Sequence, residues 1–306
     1  MDQMPTVAVL MSTYNGEKYI REQLDSIFTQ RDVDITLYVR DDGSTDNTPQ
    51  ILKEYSVSGK KIIINCSDNV GVGTSFMNLT YEVPSHYDYY AFADQDDIWL
   101  SNKLKEAITL LSENKKGIYC SNQTFINKQG EIIGTRFSRE PELSLIKEIQ
   151  ENKVTGCTIV FTRKFRDMIV EEERKPEPSF IKQQIHDIWF ALVGVTTNTI
   201  IYDNNSYIYY RQHDHNVVGI KQPTIVEKIR RKISKIKKRD TRNSRSKRAY
   251  AMVTKYGDYL ESNDLIRACA YPKSFKNKMI ILKEYDSFRD NNSKLELIAY
   301  LLMGLF

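Results

Sequence analysis

Three short apolar runs, Thr6 to Met11, Ile35 to Val39 and Tyr89 to Ala93, each break off directly into a polar cluster: "STYNG", "RDDGS" and "DQDD". Between them lie helical patterns. Ile20, Leu24, Ile27 and Phe28 fall on one face, and a short helix is expected around Gln50 to Tyr55, with Asp46 or Thr48 as its cap and Pro49 in its first turn. A further strand at Lys61 to Asn65 and helices near Ser75 to Tyr81 and from about Ser101 to Ser112 continue the alternation. Such a chain predicts an α/β fold with a mostly parallel sheet and helices on both faces. Ligands of these sheets lie beyond the carboxyl ends of the strands, which is where all the polar clusters fall. One DDGS alone would be a surface turn; a row of clusters at one edge points to a nucleotide-type site.

The spacing of Asp94, Asp96 and Asp97 sharpens that expectation. Like charges so close together cost free energy unless a cation or a hydrogen-bonded turn takes them up. After Gly117 the character changes: residues 117–126, 131–135 and 154–161 look like strands, and 179–194 like a helix entered from a Pro-rich loop. Residues 198–203 and 207–213 look like a closing pair of strands.

At 306 residues the chain allows one large domain or two smaller ones. Its N-terminal apolar run is short and β-branched and reads as a strand rather than a signal peptide. The longest apolar stretch, Leu297 to Phe306, has ten residues and is too short to span a bilayer. Cys66, Cys120, Cys157 and Cys269 are scattered without a CxxC pair, which argues against a disulfide framework and a zinc site and fits a reducing cytoplasm.

Taken in order, "MSTYNGEKYIREQLDSIFTQ", "RDDGSTDNT" and "FADQDDIWL" resemble the inverting glycosyltransferases of the GT-A fold. Further on, "VTGCT", "HDIWFAL" and "YRQHDHNVVG" are similar to the branch of bacterial rhamnosyltransferases that build rhamnose-containing cell-wall polysaccharides. The resemblance covers roughly Val7 to Gly219. It implies a GT-A domain over residues 1–223, with a nucleotide-sugar-binding half (1–116) and an acceptor-facing half (117–223), followed by a basic helical region (224–306). The implied activity is transfer of a sugar, L-rhamnose from dTDP-L-rhamnose, onto a polyprenyl-diphosphate-linked saccharide. A UDP-hexose-dependent transferase of the same fold and a metal-dependent nucleotidyltransferase are the alternatives.

Residue by residue, the resemblance implies that Ser12, Thr13 and Tyr14 touch the base and ribose, with Tyr14 alternatively a core aromatic. Asp41 and Asp42 end the second strand, and Asp42 is the better match for a carboxylate accepting from the N3–H of uracil or thymine. Asp94 and Asp96 match the DxD pattern, which implies Mg²⁺ or Mn²⁺ with Asp96 as direct ligand and Asp94 on the ribose or a metal-bound water. Asp97 is expected to cap the helix that follows. The "NVGVGTSFMN" loop stands where the family often has an Arg for the diphosphate, and its GxGxxF does not meet the dinucleotide fingerprint. Asp187 occupies the family's base position, with His186 its rival. Arg211 falls among the donor-binding positions. His213 matches a metal or phosphate ligand and is otherwise a loop histidine, as His215 is expected to be. Cys157 reads as a small packed residue, since inversion needs no covalent intermediate.

Net charge is +4, but Lys228 to Arg248 alone carries +11 and the remainder −7. Ile225, Ile229, Ile233 and Ile236 would form one apolar stripe amid these cations. An anionic membrane surface is the preferred partner, because no aromatics interleave with the charges between Thr224 and Ala249 as nucleic-acid binding would favour. A solvated helix that covers the catalytic domain is the alternative. The expected location is cytoplasmic, peripheral to the inner face of the cell membrane.

Overall fold

The computed structural model describes residues 4–212, 243–260, 263–290 and 292–306. Strands β1 (Thr6–Thr13), β2 (Asp34–Asp41), β3 (Ile62–Cys66) and β4 (Tyr89–Ala93) alternate with helices α1 (Ile20–Phe28), α2 (Thr48–Val57) and α3 (Val72–Glu82). They pair in the order β3-β2-β1-β4, all parallel. Alternate residues of β1 go to opposite cores: Val7, Val9 and Met11 pack with α1, α2 and Leu104, whereas Ala8 and Leu10 pack with Phe76 and Trp189. Both faces are buried, which is why these strands read as continuous apolar runs rather than as polar–apolar alternation.

Beyond β4 the sheet becomes mixed. The short β5 (Ile98–Trp99) and helix α4 (Lys103–Glu113) lead into β6 (Ile118–Ile126) and β7 (Ile132–Thr135). Helix α5 (Leu145–Gln150), β8 (Val160–Thr162), α6 (Arg163–Val170), α7 (Pro178–Thr196) and β9 (Ile200–Arg211) follow. β8 runs antiparallel to β4 and β6, β6 runs parallel to β9, and β5 runs antiparallel to β9. The parallel expectation therefore holds for the first half, with antiparallel strands added in the second.

Two expectations are corrected. The closing pair of strands is one strand, β9, whose register against β6 shifts around Ser121 to Thr124, so a bulge replaces the turn. In the 154–161 run only the end is extended, because Gly156–Thr158 form a 3₁₀ turn.

Four helices close the chain: α8 (Ser244–Lys255), α9 (Asp264–Ala270), α10 (Phe275–Lys283) and α11 (Lys294–Leu302). Ala249, Met252, Tyr256, Leu297 and Phe306 join the same hydrophobic cluster as Phe92 and Trp189. The C-terminal helices thus share a core with the sheet instead of hanging off it. Among the described residues no helix is long and apolar enough to cross a membrane. The boundary expected at 223/224, the isoleucine stripe, His213 and His215 lie outside the described residues.

Candidate active site

The carboxyl ends of β1, β2 and β4 meet as one polar edge. Thr13 is buried and its hydroxyl donates to Asp41 Oδ2 at 2.7 Å, while Ser44 donates its backbone N–H and its hydroxyl to the same carboxylate at 2.8 and 2.6 Å. Asp41 is therefore spent on closing the DDGS turn. Asp42 is buried against Arg40 in an ion pair and also accepts from the N–H groups of Val70 (3.0 Å) and Gly71 (2.9 Å). The glycine-rich loop thus turns two of its amides toward Asp42. Ser12 donates to Ser75 Oγ at 2.7 Å.

Tyr14 is half exposed, so it is not a core aromatic. Its backbone is read by the side chain of Gln95, which accepts from Tyr14 N–H at 2.9 Å and donates to its carbonyl at 3.0 Å. That exchange ties the first loop to the acidic turn.

The acidic turn is fixed from behind. Arg211 N–H donates to Asp97 Oδ1 at 3.2 Å, and its Nε donates to the Asp96 carbonyl at 3.1 Å. The Arg211 guanidinium also pairs with Glu22 and lies 4.6 Å from the centre of the Tyr19 ring. Arg211 consequently holds the turn from β9 instead of projecting into open solvent. Asp97 is completely buried and is not a helix cap: α4 begins at Lys103, with Asn102 at its N-cap. Burial, reinforced by Asp96 and Asp94, pushes its carboxyl well above the usual range. The buried Lys103 beside it, with Nζ 3.7 Å from the Trp99 ring centre, is pushed down to about 7 by burial.

Asp94, Asp97 and Cys157 bring possible ligand atoms within 4.8 Å of one another. The donor set decides how such a cluster would be used. Burial pushes the Cys157 thiol up, which keeps it protonated, and a thiol is a poor partner for Mg²⁺ or Mn²⁺. Of the three, only the carboxylates of Asp94 and Asp97 suit a hard cation, and Asp97 is fully buried and bonded to the Arg211 backbone. Asp94 is only partly buried, and its carboxyl is pushed up to about 7 by burial and by the charges of Asp96 and Asp187. A carboxyl that resists ionisation beside two others is one that an incoming cation relieves.

The remaining carboxylate comes from α7, which is two helices joined at Ile185, where φ is 52° and ψ 171°. The kink is seated on Gly73: a Cβ there would lie 3.0 Å from Ile185 Cα and from the Ile181 carbonyl oxygen. Past the kink His186 points into the core. Its ring stacks on Phe76 at 4.1 Å and meets the Phe92 ring edge-on at 4.9 Å. Neither ring nitrogen has a hydrogen-bond partner among the described residues, and burial pushes the imidazole down to about 3. A side chain on Gly156 would put its Cβ 2.7 Å from His186 Nε2, so the TGC turn needs glycine there. The His186 ring is only 4% exposed and packed between the two aromatic rings.

Asp187 is only 8% exposed. Its carboxylate accepts from Asn152 Nδ2 at 3.1 Å and from Ile188 N–H at 2.7 Å. Burial pushes it up to about 6, against the pull of those hydrogen bonds and of Arg136 and Arg248. Asn152, Gln95 and Glu22 were not visible as site residues in the sequence. Asn152 and Glu22 are polar residues in a loop and on an ordinary helix face that no spacing distinguishes, and Gln95 is the unspecified middle residue of the DxD pattern.

The fold and this edge together define a GT-A glycosyltransferase. The Glycosyl transferase family 2 profile matches residues 8–172, and the chain belongs to that family. It is 35% identical to the dTDP-rhamnosyl transferase RfbG of Shigella flexneri over 219 residues, 68% of this chain and 73% of that protein. Over 158 residues it is 30% identical to WfgD of Escherichia coli, described as a UDP-Glc:alpha-D-GlcNAc-diphosphoundecaprenol beta-1,3-glucosyltransferase, covering 51% of this chain and 60% of that one. S. aureus TarS (residues 1–349) in complex with UDP-GlcNAc superposes with a TM-score of 0.60 at 19% identity, over 86% of this chain and 70% of that 1–349 chain, which speaks to fold alone.

Proposed function

We propose that this glycosyltransferase moves a sugar with inversion from a nucleoside diphosphate donor, dTDP-L-rhamnose, to a hydroxyl of a polyprenyl-diphosphate-linked saccharide. The observation that carries the reading is Asp187: a buried carboxylate, held in place by two hydrogen bonds and electrostatically linked to Asp94. Its value near 6 leaves it ionised at neutral pH and basic enough to accept a proton as the hydroxyl attacks. The acceptor oxygen bonds to the anomeric carbon, its proton passes to Asp187, and the nucleoside diphosphate leaves from the opposite face with the bonding pair. When bound, Mg²⁺ or Mn²⁺ held by Asp96 and Asp94 would neutralise charge on the leaving diphosphate. Residues 1–116 then serve the donor and 117–223 the acceptor.

Similarity to RfbG supports the rhamnosyl donor, and similarity to WfgD supports a second reading with a UDP-hexose. A panel of dTDP- and UDP-sugars, scored for nucleoside diphosphate release, separates the two. Release of inorganic diphosphate from a nucleoside triphosphate would instead indicate nucleotidyl transfer, and a retained anomeric configuration in the product would refute inversion.

The enzyme is further proposed to work on the inner face of the membrane, where a prenyl-linked acceptor resides. Phe275, Leu295 and Leu302 of α10 and α11 are 80%, 79% and 73% exposed, and Lys273, Lys276, Lys278 and Lys283 lie beside the first of them in sequence. Co-sedimentation with anionic vesicles that weakens as salt rises is expected. Equal binding to neutral vesicles would remove the electrostatic part of the reading.

A further inference from the structure

Helix α8 packs against both α5 and α7, and it brings one cation into their shared core. Arg248 is 9% exposed. Its Nε donates to Gln184 Oε1 at 2.7 Å, and its Nη1 donates to the carbonyls of Glu148 and Ile149 at 3.1 and 3.3 Å. These partners flank the two supports of Asp187. Gln184 is the residue immediately before the Ile185 kink and three positions ahead of Asp187. Glu148 and Ile149 lie near the end of α5, and the loop that leaves α5 carries Asn152, whose amide holds Asp187 Oδ2. That loop is pinned in turn: the Glu148 carboxylate accepts from Lys153 N–H at 3.2 Å, and Asn152 Oδ1 accepts from Val154 N–H at 3.1 Å.

We infer that Arg248 is a positioning residue for Asp187, a clamp from the C-terminal helices that fixes the kink on one side of the base and the Asn152 loop on the other. The planar guanidinium suits the task, because a single rigid fork bonds a side-chain amide and two backbone carbonyls at once. Its burial carries a cost that an exposed arginine would not, and the satisfied donors on the α5 and α7 side offset it. The C-terminal helices are on this account part of the catalytic apparatus, contributing geometry without touching either substrate.

The inference rests on Asp187 as the base, and a double-mutant cycle keeps the two ideas apart. Arg248→Met in the full chain is expected to lower kcat about tenfold while leaving the donor KM within about twofold. Arg248→Lys keeps the charge without the fork and should fall between it and the wild type. Asp187→Asn should cost about a hundredfold or more, and adding Arg248→Met to it should cost nothing further, because the clamp acts through the carboxylate. If Arg248→Met costs the same factor in both backgrounds, or raises the donor KM alone, the positioning role is overturned while the base stands. If Asp187→Asn is nearly as active as the wild type, the base assignment itself falls. Should Arg248→Met not fold, Gln184→Met takes its place in the same cycle, removing the acceptor while leaving the cation, and full additivity there overturns the clamp.

Discussion

Asn152 donates its side-chain amide to Oδ2 of Asp187 at 3.1 Å, across 35 positions of sequence, and it leaves Oδ1 to the backbone N–H of Ile188. A general base must be both oriented and basic, and this pair meets the two needs separately: the hydrogen bonds orient, and burial raises the proton affinity. Asp187→Asn keeps the size and removes the acceptor. It should lower kcat by about two or more orders of magnitude with donor affinity nearly unchanged. Asn152→Ala, which frees the carboxylate but leaves it chemically intact, should cost less, about tenfold. In the wild type the acid limb of kcat should fall near pH 6, where Asp187 takes up its proton. Steady-state kinetics across pH 5 to 8 check these outcomes together; an Asp187→Asn variant retaining wild-type kcat would remove Asp187 from the chemistry.

The cation site makes a prediction of its own. Asp94 holds its proton up to about 7 because burial, Asp96 and Asp187 all oppose a further negative charge. Binding of Mn²⁺ must displace that proton, so affinity should rise with pH up to about 7 and level off above it, by up to about tenfold per unit. Calorimetric titration of Mn²⁺ at several pH values measures this directly. Asp96→Ala should abolish transfer and weaken nucleotide binding, and EDTA should do the same to the wild type. Full activity in EDTA would demote the cation without touching the role of Asp187.

His186 predicts an acid-stability effect whose sign is fixed by its burial. Folded, the imidazole is pushed down to about 3; unfolded, it titrates near 6.5. Between those values the unfolded chain binds a proton that the folded one refuses, so stability is lost as pH falls from 6.5 toward 3, by up to about 1.4 kcal/mol per unit. Asp94, Asp187 and Glu148 run the other way, since their raised values make the folded state bind protons first. In a comparison with His186→Leu those carboxyls largely cancel. Urea melts at pH 6 and pH 4 should show the wild type losing about 2 kcal/mol more than the variant over that interval. Parallel pH profiles would mean that the ring is hydrated and able to charge in the folded protein.

Much of this was legible from sequence because the signal was periodic. The strand–cluster–helix repeat marks β1 to β4, and each cluster sits where the next turn must begin. The family resemblance singles out Asp187 and the acidic turn, and the structure brings Asp187 close enough to Asp94 to raise its proton affinity. What escaped was long-range. Asp97 follows two acids and precedes a helix, as a cap would, yet β5 intervenes and the side chain turns inward to meet the backbone of Arg211, 114 positions away. The kink at Ile185 has no proline or glycine to announce it; Gly73, on another helix, makes room for it. The "NNS" of residues 204–206 predicts a break, but a strand can absorb such residues as a bulge when its neighbour β6 continues alongside.

Asp42 is both a structural anion and the proposed reader of the pyrimidine, and the two roles can be separated. Its carboxylate accepts from Arg40, Val70 and Gly71, which fills three of about four acceptor positions and leaves one, on Oδ2, for the N3–H of thymine or uracil. Arg40 is itself 5% exposed and donates to the Asp68 carbonyl at 3.0 Å. Removing the charge of Asp42 would strand a buried guanidinium, which typically costs about 3–5 kcal/mol. Asp42→Asn should therefore lower the urea midpoint markedly in the absence of any nucleotide. Base recognition would appear separately, as weaker dTDP or UDP binding measured on the folded fraction at low temperature. The decisive comparison is Asp42→Asn alongside Arg40→Met. Both variants break the ion pair, but only the first changes the acceptor offered to the base. If the two lose nucleotide affinity equally, Asp42 is a structural partner of Arg40 and the base is read by another group.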